Sequence, residues 1–208
     1  MLIRISLALV FVFVVALPVS AWADFGQDKQ RCLDPNPDIR ISRCTRLIQS
    51  GQFSGTNLSI LLYDRGNAYG RKRQYDRAIQ DYTEAIRLKP DYARAFNNRG
   101  LSYGRKRQYD RAIRDFTEAI RLRPDYTSAY YKRGLAYGRK RQYDRAIQDY
   151  TEAIRLKPNY ASAYGGRGYA KVQLGKRDKA IADFRKAIEL RPGDRMGTLG
   201  LKSLGVTP

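Results

Sequence analysis

The side chains that could do chemistry in this chain are mainly basic, and they recur at a fixed spacing. The triplet Arg71-Lys72-Arg73 returns as Arg105-Lys106-Arg107 and again as Arg139-Lys140-Arg141, each time 34 residues later. Basic groups at this density raise the local electrostatic potential and favour anionic partners. Over the 208 residues, 40 Lys and Arg stand against 20 Asp and Glu, so the formal net charge is +20.

The groups needed for catalysis are poorly represented. Histidine, the commonest general base and metal ligand, is absent from the sequence. Carboxylates do recur in pairs, such as Asp81 with Glu84, but we interpret them as exposed residues of a helix. Arg77 and Asp81 are four positions apart, a spacing that predicts an ion pair on a helix surface. We therefore predict no enzyme activity, no cofactor and no metal site.

The two cysteines, Cys32 and Cys44, predict a disulfide, because an even number of cysteines in an exported chain favours pairing. Two buried free thiols are the alternative. A metal pair is less favoured, since the chain has neither a histidine nor a third thiol.

The first residues have the pattern of a targeting segment. Arg4 precedes an apolar run from Ile5 to Val19, and Ala21-Trp22-Ala23 fits the A-x-A cleavage pattern. The run is short for a bilayer span, which needs about 20 residues. We predict a signal peptide at 1–23, a mature chain that starts at Asp24, and export to the periplasm of a Gram-negative bacterium or secretion. An uncleaved membrane anchor is the alternative.

The 34-residue repeat extends well beyond the basic triplets. The stretches 66–92 and 134–160 differ at only two positions, Asn67/Leu135 and Asp91/Asn159, and 161–194 is a fourth, diverged copy. Apolar residues within each copy follow the helical period, and the proline at positions 90, 124, 158 and 192 ends a helix. A glycine recurs inside the first helix of every copy, at a cost of about 1 kcal/mol relative to alanine. We infer that it permits the close approach of a neighbouring helix.

This pattern resembles the tetratricopeptide repeat family. The large residue of the family signature is Leu62, Phe96, Tyr130 or Tyr164, and its tyrosine is Tyr69, Tyr103 or Tyr137, with Lys171 in the fourth copy. Where the family usually has leucine before the glycine, this chain has Arg65, Arg99, Arg133 and Arg167. We expect their stems to cover apolar surface while their charged heads reach water.

The resemblance implies an all-α fold, a right-handed superhelical solenoid of antiparallel helix pairs. The expected segments are a capping helix at 24–58, four repeats at 59–92, 93–126, 127–160 and 161–194, and a C-terminal cap at 195–208. Within the first cap, one helix is expected from Pro37 to Ser50, with Asn36 as its N-cap. A short closing helix is expected from Arg195 to Val206.

In the family, the first helices of successive repeats line a concave face that binds partners. Carried onto this sequence, that face contains Tyr63, Asn67, Arg71, Arg94, Asn97, Asn98, Leu101, Arg105, Tyr131, Lys132, Leu135, Arg139 and Tyr169. Three residues fall where some members clamp a terminal carboxylate, namely Asn67, Asn98 and Lys132. Tyr63 and Ser128 occupy the other two clamp positions and break the set.

The resemblance favours a non-enzymatic scaffold that binds an acidic peptide or protein in the concave groove. The alternative is a protein that docks on anionic lipid, lipopolysaccharide or polysaccharide through a basic edge formed by Lys72, Arg73, Lys106, Arg107, Lys140 and Arg141 with their flanking arginines. Recent duplication of one repeat would by itself also produce three copies of the basic triplet, without a functional role for this edge. Nucleic acid is not expected as a partner of an exported protein, and the oligomeric state is left open.

Overall fold

The computed structural model describes residues 32–208, which form ten helices and no strand. Consecutive helices pack against one another along the chain and build a solenoid of antiparallel pairs. The helices are α1 (Pro37–Gln49), α2 (Gly55–Arg71), α3 (Tyr75–Leu88), α4 (Ala93–Arg105), α5 (Tyr109–Leu122), α6 (Thr127–Arg139), α7 (Tyr143–Leu156), α8 (Ala161–Gln173), α9 (Arg177–Leu190) and α10 (Arg195–Ser203). The expected all-helical solenoid is thus confirmed.

The core of each helix pair depends on a glycine that faces an aromatic ring. A β-carbon added at Gly66 would lie 2.8 Å from Cε1 of Tyr82, and one at Gly168 would lie 2.7 Å from Cε1 of Phe184. These separations are too short for real contacts, so only glycine lets the first helix approach the ring of the second. The expected role of the repeated glycine is confirmed. Buried alanines such as Ala78 and Ala85 complete the same interface.

Each first helix is also joined to its second helix by a buried ion pair. Nε and Nη2 of Arg65 donate to the two carboxylate oxygens of Asp81 at 2.9 and 2.7 Å, and Asp81 is only 5% exposed. Burial raises the pKa of Asp81, and the hydrogen bonds from Arg65 oppose that rise. The same bidentate geometry recurs in Arg99–Asp115, Arg133–Asp149 and Arg167–Asp183.

Two sequence expectations are wrong here. The heads of these arginines do not reach water, and Asp81 is not an exposed partner of Arg77. Instead, Arg77 lies over the ring of Tyr69. The physical reason is that Asp81 directly precedes the core residue Tyr82 and is buried with it, so its charge needs an equally buried, well-oriented partner.

Helix α1 packs as the second helix of a further helix pair that precedes the four repeats. Thr45 accepts a hydrogen bond from Arg65 and Asp38 pairs with Lys72. These contacts repeat those of Thr83 with Arg99 and of Asp76 with Lys106 between complete repeats. The side chain of Asn36 accepts from the backbone N–H of Asp38, as expected for the N-cap.

The segment that precedes α1 is held against the solenoid at Cys32. Cys32 and Cys44 lie at disulfide distance, with their Cα atoms 5.0 Å apart, and both are fully buried against Leu61. This supports the predicted pairing rather than the free-thiol alternative. The predicted signal peptide at 1–23 and its cleavage site lie outside the described residues.

At the other end, α10 packs in the position of a first helix against α8 and α9. The carboxylate of Asp194 accepts from the backbone N–H of Gly197 at 2.8 Å and begins the helix, and Leu201 is fully buried beside Phe184. Within residues 32–208, none of the helices has the length and apolar character of a membrane span.

Candidate functional site

A polar network crosses the groove surface between α2 and α4. The side-chain amide of Asn98 donates to the Asn67 carbonyl oxygen at 2.8 Å and to the Tyr63 hydroxyl at 3.2 Å. The Tyr82 hydroxyl donates to the same Asn67 oxygen at 2.8 Å. Burial raises the pKa of Tyr63. The network orients two of the three predicted clamp residues, Asn67 and Asn98, and places them side by side.

Asn97 extends this network beneath the surface. Its amide donates to the Asn98 carbonyl oxygen at 2.8 Å, and its own carbonyl oxygen accepts from Nζ of Lys132 at 3.3 Å. Asn97 is only 2% exposed. Its predicted place on the partner-binding face is therefore wrong, because the first turns of α4 point it into the packed interior. It supports Asn98 and Lys132 instead of offering contact area.

Lys132 on α6 is a largely desolvated ammonium. Burial lowers the pKa of Lys132 to about 8. It has no ion-pair partner among the carboxylates of residues 32–208, and it donates a long hydrogen bond to the side-chain oxygen of Asn97. A desolvated cation without a counterion gains stabilisation from any carboxylate that enters its surroundings.

Two basic cavities open from the groove, one after the other. The first basic cavity has a volume of about 410 Å3 and lies between α2 and α4. It is lined by Asn67, Gly70, Arg71, Arg73, Tyr75, Tyr82, Asn98, Leu101, Ser102 and Arg105. The second basic cavity has a volume of about 340 Å3 and lies between α4 and α6. It is lined by Leu101, Gly104, Arg105, Arg107, Tyr109, Phe116, Lys132, Leu135, Ala136 and Arg139.

The second basic cavity is built from the same positions as the first, one repeat further along the chain. Every residue that lines the first has its counterpart 34 residues later in the second. Asn98 becomes Lys132 in this step, so the second cavity carries one more positive charge. No carboxylate in residues 32–208 forms an ion pair with any of the cations that line the two cavities.

The lysines of the basic edge have structural partners. Lys72 pairs with Asp38, Lys106 with Asp76 and Lys140 with Asp110, each time joining a turn to the second helix of the preceding unit. The predicted edge of uniformly available charge needs correction, because these three lysines are neutralised within the solenoid. Only the arginines of the triplets keep unpaired charge.

The third residue of each triplet adopts an unfavourable backbone conformation. Arg73, Arg107 and Arg141 have φ of 60°, 61° and 59°, whereas the fourth unit has Gly175 at the same place with φ of 69°. A left-handed conformation costs a non-glycine residue roughly 1–2 kcal/mol. Arg73 and Arg107 line the basic cavities, so the predicted edge and the predicted groove are one surface at these positions.

The C-terminal end of the groove is apolar instead of basic. A cavity of about 810 Å3 lies between α8 and α10, with exposed Tyr169 (53%) and Leu199 (55%) at its wall beside Val172 and Met196. One repeat beyond Arg139, Gln173 takes the place of the arginine. The groove therefore becomes more apolar toward its C-terminal end, where Arg195 and the Arg191–Asp194 pair also line the cavity.

The remaining predicted groove residues lie outside the basic cavities or serve the scaffold. Arg94 is exposed in the first turn of α4. Tyr131 packs against Tyr160, with ring centroids 5.0 Å apart, and also reaches the apolar cavity. Nη1 of Arg71 donates to the carbonyl oxygen of Pro35 at 2.9 Å and thereby holds the N-terminal cap.

Sequence reasoning missed Tyr75 and Tyr109, which line the basic cavities, and most of the apolar cavity, of which it named Tyr131 and Tyr169. A signal for the turn conformation was present, because Gly175 replaces arginine in the fourth unit. The tyrosines gave no such signal, since the sequence shows them only as the first residues of second helices.

Two models of the repeat match the chain. One, described as tetratricopeptide repeat, matches residues 98–161 and 131–195, and a second, described as TPR repeat, matches 66–107. Together these matches extend from 66 to 195, which is more than half of the chain. No single protein sequence among curated proteins matches significantly.

Solved structures show the same architecture over most of the chain. A crystal structure of MamA is 26% identical, with a TM-score of 0.68, and the match covers 85% of this chain and 96% of that one. MamA from Desulfovibrio magneticus RS-1 is 23% identical, with a TM-score of 0.73 and coverage of 86% and 99%. The Arabidopsis OM64 TPR domain is 28% identical, with a TM-score of 0.54, and the match covers 54% of this chain and 93% of the domain. The protein belongs to the tetratricopeptide repeat family, whose members generally act as non-enzymatic scaffolds for protein–protein interaction.

Proposed function

We propose that this protein is an exported scaffold that holds an extended acidic segment of a partner protein in its groove. One observation carries the proposal: the cations of the two basic cavities have no carboxylate partner in residues 32–208. Elsewhere in the solenoid, basic groups of comparable position, such as Lys106, are paired with acidic ones. The unpaired charges therefore mark a place where a partner supplies the anions.

The shape of the surface favours a chain over a single small anion. The two basic cavities repeat along the groove, and the apolar cavity follows at its C-terminal end. A ligand that uses them all must be long and must carry acidic groups on one part and an apolar group on another. An extended peptide has these properties, and the family generally binds protein partners.

Docking on an anionic membrane is the less favoured function. The lysines that would contribute to a flat basic edge are paired with Asp38, Asp76 and Asp110. Arg73 and Arg107 border concave cavities, where the headgroups of a planar bilayer reach less easily than a single chain. Tighter binding to anionic vesicles than to an acidic peptide would favour this alternative.

Export is part of the proposal and is supported by the pairing of Cys32 and Cys44, because disulfides persist in oxidising compartments. Cell fractionation with N-terminal sequencing tests it. We expect the mature protein in the periplasm or medium with Asp24 as its first residue. Recovery of an intact N-terminus in the cytoplasm would contradict export without affecting the groove.

The binding test compares charge removal inside and outside the groove. The variant Arg105→Gln/Arg139→Gln removes two cations of the basic cavities, and the control Arg114→Gln/Arg185→Gln removes two exposed, unpaired charges of second helices. Glutamine already stands at the equivalents of Arg114 in the first and third repeats, Gln80 and Gln148, so the control fits the fold.

Isothermal titration with an acidic peptide should show a loss of at least about tenfold in affinity for the groove variant, because each charge-assisted contact contributes about 1.5–3 kcal/mol. The control should stay within about twofold, since long-range charge effects are screened by salt. Equal losses in both variants, or tighter binding to anionic vesicles than to the peptide, would reject the groove as the site.

A further inference from the structure

The two basic cavities are successive copies of one site and therefore lie at a fixed distance from each other along the groove. All of their lining positions correspond at a step of 34 residues, and they share Leu101 and Arg105 as a common wall. A ligand group that suits one cavity therefore suits the other. The groove can therefore bind the same chemical group at two sites that are a fixed distance apart.

The spacing of the first helices sets that distance. The helices α2, α4 and α6 contact one another in sequence, and packed helices lie about 8–10 Å apart. The cavities between them must repeat at about the same interval, because each is built from the same positions of consecutive repeats.

The conformation of an extended peptide then selects the sequence spacing. A polyproline II chain has three residues per turn and rises about 3.1 Å per residue, so every third side chain points the same way about 9 Å further on. In a β-strand, side chains three apart point to opposite faces. Only the polyproline II form places two acidic side chains on one face at the interval of the cavities.

The positive charge along the groove decreases beyond the second basic cavity. The next equivalent position along it replaces the cavity residue Asn98 by Gly166 and Arg105 by Gln173. In the second cavity, Lys132 supplies a desolvated ammonium and Arg139 a further charge. The equivalent positions beyond it retain two cations, Arg139 and Arg141, against four in the second cavity, so a third acidic side chain would meet less charge.

We propose that the groove selects a polyproline II peptide whose two acidic residues are three positions apart, with one carboxylate in each basic cavity. This inference rests on the proposed function. It adds a spacing rule that simple attraction between a basic groove and an acidic chain would not produce.

The test uses three fluorescent peptides of about ten residues and equal composition, built from proline and alanine with two glutamates, so that all favour polyproline II. The glutamates are two, three or five positions apart. Anisotropy titration at about 100 mM salt, where the Debye length is about 10 Å, limits attraction to nearby charges. We expect the three-residue spacing to bind at least about tenfold more tightly than the other two.

A protein variant assigns the second carboxylate to its cavity. Lys132→Asn introduces the residue that stands at this position one repeat earlier, Asn98, and so preserves the fold, which circular dichroism will verify. It should weaken the peptide with glutamates three apart by about tenfold, whereas a peptide with a single glutamate can still bind in the first basic cavity and should lose less affinity.

The outcomes separate the two proposals. Equal binding of all three spacings, or equal effects of Lys132→Asn on the one-glutamate and two-glutamate peptides, would overturn the spacing rule while leaving acidic-peptide binding intact. Failure of every acidic peptide to bind would overturn the proposed function together with the rule.

Discussion

Arg99 and Asp115 form a bidentate ion pair inside the second helical hairpin, with Nε and Nη2 of the arginine each 2.8 Å from a carboxylate oxygen. The third arm of the guanidinium, Nη1, donates to Thr83 of the preceding repeat at 3.1 Å. One side chain thus joins both helices of its own hairpin to the neighbouring one. The pair recurs in every complete repeat, so a ladder of buried ion pairs runs along the solenoid, and each arginine stands where the family usually has leucine.

Removal of one partner of this pair should be strongly destabilising. Asp115→Ala leaves the guanidinium of Arg99 buried without a counterion, and we expect a loss of about 3–5 kcal/mol in the free energy of unfolding. The double variant Arg99→Leu/Asp115→Leu should recover most of that loss, because an apolar pair needs no desolvated charges. Urea denaturation followed by circular dichroism measures both. If the single variant loses less than about 1 kcal/mol, as surface pairs do, the ladder has no structural importance.

The arginines with positive φ should lower the stability of the fold and, in the basic cavities, contribute to the binding of an acidic peptide. Arg73→Gly and Arg107→Gly relieve the positive φ and should each raise the free energy of unfolding by about 1 kcal/mol, while acidic-peptide binding weakens because a cavity loses its cation. Arg141→Gly is the matched control, since it relieves the same strain but lines neither basic cavity. It should stabilise the protein without loss of affinity. Equal loss of affinity in all three variants would mean that the charges act through the overall field.

Binding of an acidic peptide should weaken at alkaline pH. The pKa of Lys132 is about 8 in the free protein, and a carboxylate in the second basic cavity raises the pKa in the complex. The affinity for the peptide is then highest below a pH of about 8 and falls as the pH rises through that value. Above it, the amine of Lys132 must take up a proton before the carboxylate binds. Arginine side chains in general keep their proton over this range, and a peptide carboxylate stays ionised.

Titrations at pH 7 and 9.5 should accordingly differ by about tenfold for the natural protein. The Lys132→Asn variant retains Arg105, Arg107 and Arg139 but lacks the titrating amine, so its affinity should change little between the two values. A pH dependence that persists in this variant would assign the effect to another group.

Reduction of the disulfide should destabilise the packing of α1. Cys32 and Cys44 are 12 residues apart in sequence, and closing a loop of this size stabilises a protein by roughly 3 kcal/mol. A reducing agent should therefore lower the melting temperature, and Cys32→Ser/Cys44→Ser should have the same lower value with or without it. No effect of reductant on the natural protein would show that the link is dispensable to the fold.

Most of the fold could be predicted because its determinants are local and repeated. Gly66, Tyr82 and Pro90 recur at identical spacing, and each has a backbone or packing role that follows from its own geometry. The place of α1 as a second helix was harder to recognise, since its contacts through Asp38 and Thr45 are preserved while the surrounding sequence is not.

The site could be predicted only in part. Family resemblance indicated Asn98, Lys132 and Arg105, but it could not show that Asn97 lies under the surface or that the lysines of the triplets are paired. These outcomes depend on which residue of an adjacent repeat stands opposite. The sequence contains both partners but not the distance between them.

The sequence by itself determined the helix pairs, their number and the surplus of positive charge, since periodicity and composition need no knowledge of neighbours. The tertiary structure decided how that charge is distributed. Asp81 and its counterparts neutralise the arginines within the core, Asp76 and its counterparts neutralise the lysines of the turns, and cations without a carboxylate partner line the two basic cavities. Stacking of the repeats brings together residues from three helices and a turn to form each cavity, because electrostatic pairing and cavity shape depend on distances between segments far apart in the chain.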